Sequence, residues 1–166
     1  MKRIATIIAL MFLSAAGKAQ FSHSGTASGN ITVFSVQSLT LTGSTIIPSF
    51  ESFSHYTNGI TMSQYVEIQV RSNVNWTISV QAQNAYFSPL SQGASTNMPS
   101  TVLSMKRSDV SSYTPVSPSG HTLKNGGKGG AGKPGNTFTV DVRFHPGFGF
   151  KGGIYTLGLL YTLSQQ

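Results

Sequence analysis

The chain contains no cysteine among its 166 residues. No disulfide can brace the fold, no lipid can be attached through a thiol, and zinc sites of the Cys₄ or Cys₂His₂ kind are excluded. Acidic residues are nearly as scarce: Glu51, Glu67, Asp109 and Asp141 are the four, against 11 Lys and Arg. Most hydrolytic chemistry needs paired carboxylates or a histidine oriented by one, so few catalytic constellations can be built. His23, His55, His121 and His145 are scattered without metal-ligand spacing. No Gly-x-Ser-x-Gly elbow occurs. No catalytic residue, metal or cofactor is implied, and a non-enzymatic role is the expectation.

What is present begins with a leader. Lys2 and Arg3 precede a short apolar stretch from Ile4 to Ala16, and Gly17-Lys18-Ala19 ends in small residues before Gln20. That is the build of a secretory signal peptide cleaved after Ala19. The stretch is shorter than the roughly 20 residues a spanning helix needs, so no transmembrane segment is expected in the exported chain. Residues 20–166 then form one domain of ordinary length, with 20–30 as a flexible N-terminal segment. A chain of that size buries roughly 70% of its unfolded surface, enough for a core without staples. Loss of Lys2, Arg3 and Lys18 with the leader lowers the formal charge of +7 by three. Lys124, Lys128 and Lys133 remain in one segment, a possible contact loop for anionic cell-envelope glycans. No basic helix or basic-aromatic signature points to nucleic acid.

Helix signals are weak beyond Gln20, while period-two alternation recurs. Ile31 to Thr42 reads as one or two strands, and Tyr56-Thr57-Asn58-Gly59 as a turn. Val66, Ile68 and Val70 share one face, as do Trp76, Ile78, Val80 and Ala82. An odd-length turn around Asn73 would keep both sets on one face of a hairpin; otherwise the segment crosses between two sheets. Thr101 to Lys106 is a further strand, and Ser108 to Gly120 a loop. Asn125 to Gly135 is almost all glycine and lysine and reads as a mobile surface loop. Phe138, Val140, Val142 and Phe144 alternate cleanly. Tyr155, Leu157, Leu159, Tyr161 and Leu163 share a face of the last strand, and Ile154 and Leu160 on its other face place it inside a sheet. Several short strands without intervening helices argue for an all-β fold, an antiparallel β-sandwich of immunoglobulin-like outline. Its expected structural core includes Trp76, Ile78, Val80, Tyr155, Leu157 and Tyr161.

Two motifs fail on inspection. Gly127-Lys128-Gly129-Gly130-Ala131-Gly132-Lys133 matches a phosphate-binding loop up to its lysine, but Pro134 stands where a magnesium-binding hydroxyl belongs, and a strand follows where a helix is needed. Trp76 could stack on a sugar only if exposed, whereas its strand face points to the core. Asn30-Ile31-Thr32 and Asn75-Trp76-Thr77 match the glycosylation tripeptide, which is frequent by chance in Ser/Thr-rich chains.

Trp76-Thr77-Ile78 and Tyr155-Thr156-Leu157-Gly158-Leu159-Leu160-Tyr161-Thr162-Leu163 resemble the paired motifs of WxL-type bacterial surface domains. Ile78 stands in place of leucine and Tyr161 in place of tryptophan. The ending Gly153 to Gln166 also resembles the last strand of pilin-type secreted domains, without their disulfide and with Gln165 at the usual tyrosine. These resemblances imply a secreted β-sandwich at the cell surface, associated with the cell wall or assembled by strand donation. The expectation is a structural or adhesive subunit of an extracellular fibre, pilus or coat that self-associates or joins other surface proteins. Gln20 to Val36 would be the donated or docking strand. The alternative is a glycan- or peptidoglycan-binding module acting through Lys124 to Lys133.

Overall fold

The computed structural model describes residues 31–43 and 48–166. The leader and the segment 20–30 lie outside the described residues. Residues 34–166 form one compact unit. Its strands are β1 (Gln37–Gly43), β2 (Ile60–Ser72), β3 (Trp76–Ala82), β4 (Ser88–Pro89), β5 (Leu103–Arg107), β6 (Thr114–Pro115), β7 (His121–Gly126), β8 (Thr137–Phe144), β9 (Tyr155–Thr156) and β10 (Leu159–Gln165). A short helix, α1 (Phe53–Asn58), precedes β2. The strands make a five-stranded sheet in the order β1-β2-β8-β5-β6, a three-stranded sheet β10-β3-β7 and a small ribbon β4-β9. All of these pairings are antiparallel.

The two larger sheets share one core, in the manner of a sandwich. Ile68, Val70, Met105, Val140 and Val142 come from the five-stranded sheet, and Trp76, Ile78 and Val80 from the three-stranded one. The alternation seen in sequence thus places every second residue between the layers, each such side chain contributing about 1.5–3 kcal/mol. Trp76, Ile78 and Val80 are fully buried; Tyr155, Leu157 and Tyr161 are half-buried and pack against that cluster.

Trp76 has room because its cross-strand partner is Gly126. A Cβ at Gly126 would stand 2.0 Å from the indole ring. The indole Nε1 donates to the Gly127 carbonyl at 3.1 Å, which satisfies its polar edge inside the core.

Between β2 and β3 the chain crosses from one sheet to the other rather than forming a hairpin. Four further expectations are corrected. Tyr56 to Asn58, read as turn, belongs to α1, whose start is capped when the Ser52 hydroxyl accepts the His55 N–H. Gly59 ends that helix at φ +76°, where a Cβ would lie 2.6 Å from the Phe144 carbonyl, so the glycine is a helix stop and not a hairpin turn. The Ser108 to Gly120 loop contains β6, and its Val116 is fully buried. The glycine-lysine segment is anchored: Ser72 and Gly129 exchange two backbone hydrogen bonds, of 3.0 and 2.6 Å. The last strand is broken at Gly158 into β9 and β10, and β10 is an edge strand among the described residues. Ile154 and Leu160 face solvent, so their apolar character did not signal a second neighbour.

One polar network shapes the five-stranded sheet. Between the pairs Met62–Val142 and Val66–Val140, Ser63, Gln64 and Tyr65 stand opposite Asp141 alone. This bulge places Gln64 at φ +51°, and its backbone N–H donates to the Asp141 carboxylate at 2.8 Å. Ser108 donates to the same oxygen, and the Lys106 ammonium lies 3.0 Å from the other. Lys106 in turn sits over the Tyr113 ring. Burial raises the Asp141 pKa, but the hydrogen bonds from Gln64, Ser108 and Lys106 and the Lys106 charge outweigh it, so the net direction is downward.

Two predictions follow from this packing. Gly126→Ala should cost about 3 kcal/mol by overpacking against Trp76, read as a lowered urea midpoint through the fluorescence of the single tryptophan. Asp141→Ala should cost about 1–3 kcal/mol, because it leaves the Gln64 N–H without its acceptor and removes the partner of Lys106. Since the folded pKa of Asp141 is depressed, its contribution is complete above the ordinary carboxylate pKa of about 3.9 and is lost as pH falls through the lower folded value. Asp141→Asn should therefore flatten the acid limb of a stability–pH curve.

Candidate functional site

The expected docking segment ran from Gln20 to Val36, of which residues 31–36 are described. They have no strand or helix partner structure and carry no charge. Ile31 is 90% exposed, Val33 76%, Phe34 77% and Val36 66%. Four large apolar side chains in six residues thus face water, which costs solvation free energy in an isolated chain.

The segment is held at its C-terminal end by one side chain. Asn73, in the crossover between β2 and β3, donates from Nδ2 to the Phe34 carbonyl at 2.6 Å and accepts the Val36 N–H at 2.8 Å. Its own backbone N–H donates to the Val36 carbonyl at 3.2 Å. Asn73 therefore reads the backbone on both sides of Ser35, as a strand partner would. In sequence it looked only like a turn residue, because a long-range amide fork leaves no local spacing signature.

Two sheet edges accompany this segment. Among the described residues, β1 pairs only with β2 and β10 only with β3. Each leaves one row of backbone donors and acceptors without a strand neighbour. Inward side chains Leu39 on β1 and Leu159, Tyr161 and Leu163 on β10 are half-buried against the core. Burial raises the pKa of the Tyr161 hydroxyl, aided by nearby Tyr65, so it remains a neutral phenol.

The basic segment looks different in three dimensions. The Lys133 ammonium donates to the Lys128 carbonyl at 2.6 Å, closing the loop on itself. Lys124 lies on β7 with its ammonium 4.7 Å from the Phe138 ring centroid. Burial lowers the Lys124 pKa, with the Arg107 charge adding to it. Two of the three ammonium groups are thus engaged within the protein. Asn136 fastens the same loop by donating to the carbonyls of Gly129 and Gly130.

Of the four histidines, His23 lies outside the described residues. His121 starts β7 with Nε2 buried and without a hydrogen-bond partner, and burial lowers its pKa. His145 lies 3.1 Å from the Thr57 carbonyl at the end of α1. His55 Nδ1 accepts the Glu51 N–H at 3.3 Å. Among the described residues no group of three His, Asp or Glu side chains converges as metal ligands would, and no helix is long and apolar enough to cross a membrane.

No protein-family model matches the chain, and no curated protein matches its sequence.

Asn73→Ala should leave the core intact and release the segment. It removes two side-chain hydrogen bonds at an exposed site, a loss of about 1 kcal/mol. Hydrogen exchange of the Val36 amide should accelerate, while that of core amides in β8 keeps pace with the small global change.

Proposed function

We propose that this chain is a non-enzymatic, exported cell-surface protein: a β-sandwich subunit of immunoglobulin-like outline in an extracellular fibre, coat or adhesive layer. The observation that carries the reading is the exposed apolar run Ile31–Val36 in a chain whose edge strands β1 and β10 each have a single strand neighbour among the described residues. A run of that length is a ready-made strand, and an open edge is its complement. Main-chain hydrogen bonds supply affinity in such pairings, and alternate side chains supply specificity. Because donor and acceptor are different surfaces of one chain, the contact between copies is head-to-tail, the kind that propagates when its rotation does not close.

The leader from Lys2 to Ala19 supports export. The chemistry of the carboxylates supports a structural role: Asp141 is neutralised by Lys106, and Asp109 by Arg107 at 2.8 Å. The Arg107 hydrogen bond holds the Asp109 pKa below its ordinary value.

Size-exclusion chromatography and electron microscopy of the purified protein test this. The wild type should shift to larger species with concentration and time. A variant combining Ile31→Ser, Val33→Ser and Phe34→Ser should stay monomeric with an unchanged melting temperature, since these side chains contribute nothing to the core. A wild-type protein that is monodisperse monomer at every concentration, after long incubation, overturns the proposal.

A further inference from the structure

A cavity of about 350 Å³ opens between α1, the turn before β5 and the loop that joins β8 to β9. Its lining includes Phe50, Tyr56, Phe87, Met98, Phe144 and Phe150. Phe87 and Met98 are buried core residues, so the floor is continuous with the interior. A ladder of rings extends from the lining residues Phe50 and Tyr56 to Phe148 and Phe53 outside the lining. Phe50 and Tyr56 have centroids 5.5 Å apart, Tyr56 stacks on Phe148 at 5.4 Å, and Phe148 meets Phe53 at 6.2 Å. Phe53 is 83% exposed and Phe148 64%. Exposed rings beside an apolar cavity mark a binding surface.

The polar groups of the lining narrow the ligand. The Tyr56 hydroxyl donates to the Phe50 carbonyl at 3.1 Å. The Tyr155 hydroxyl donates to the Lys151 carbonyl and accepts the Ser95 N–H at 3.0 Å. Both phenols are therefore committed within the protein. Lys151 is the one charged residue in the lining. Neither of the two ion pairs of the described residues involves it. All four acidic residues of the chain are described, and none of them lines the cavity. The Arg143 guanidinium is engaged elsewhere, donating to the Asn58 carbonyl at 3.0 Å.

We infer that this cavity binds a single-chain anionic amphiphile of the fatty-acid class, with its chain among the rings and its carboxylate at the Lys151 ammonium. A lining of several aromatic rings with one lysine and no carboxylate suits a molecule that is apolar along its body and negative at one end. The volume suits about a dozen heavy atoms at roughly 30 Å³ each, the size of decanoate.

Calorimetric titration with decanoate and with decanol, both below their aggregation limits, tests the inference on the purified protein. Decanoate should bind saturably at one site. Lys151→Met keeps the stem and removes the charge; it should weaken decanoate about tenfold and leave decanol unchanged. Gly152 lines the same cavity, has no positive φ, and a Cβ there meets nothing within 4 Å. Gly152→Leu should therefore weaken both ligands at an unchanged melting temperature. The inference is overturned by the absence of saturable decanoate binding, by equal loss of decanoate and decanol in Lys151→Met, or by wild-type affinity in a folded Gly152→Leu protein. Binding to vesicles of anionic phospholipid without binding of monomeric decanoate also overturns it, in favour of a membrane surface. Self-association of both variants, measured in parallel, separates this site from the assembly reading.

Discussion

The fold turns on the crossing between its two sheets at Ser72 to Asn75. Four residues carry the chain from β2 into β3, and most of what is distinctive hangs from them. The Ser72 hydroxyl bonds both the N–H and the carbonyl of Val74, which fixes the bend. The Ser72 backbone pairs with Gly129 and so pins the glycine-rich loop. Asn73 grips Val36 and Phe34, and the Asn75 carbonyl accepts the N–H of Gln166. Directly after the bend, Trp76 enters the core and bonds Gly127. The N-terminal approach, the basic loop and the C-terminus are thereby tied to one corner, with no covalent link to hold them.

Much of this was legible from alternation. Trp76, Ile78, Val80, Val140 and Val142 follow a period of two and are buried, because a strand between two layers must present every second residue inward. Other features left weak traces. The break at Gly158 interrupts an alternation that runs unbroken in sequence, since Leu157 and Leu159 keep the same parity on either side of it. The helix of six residues is too short for a periodic signal, and its stop, Gly59, is shared with turns. The aromatic chamber draws Phe50, Phe87, Phe144 and Phe150 from distant segments, so its composition was visible but its convergence was not. The role of Asn73 was hidden for the same reason: its partners lie 37 and 39 residues away.

The two regions assigned here to binding occupy opposite ends of β2. The aromatic chamber lies near Ile60, whose partner is Phe144, while the crossing lies at Ser72. A strand of that length extends roughly 35 to 40 Å.

The bulge opposite Asp141 has a further consequence for how this strand tolerates change in length. Three residues face one, an excess of two, so Ile60 and Met62 keep the same facing as Val66, Ile68 and Val70 across the irregularity. Losing a single residue there would turn the leading part of the strand inside out and send Ile60 and Met62 to solvent, whereas losing two would only straighten it. Insertions and deletions at this point are therefore counted in pairs, an arithmetic written into the backbone and independent of which side chains fill the gap.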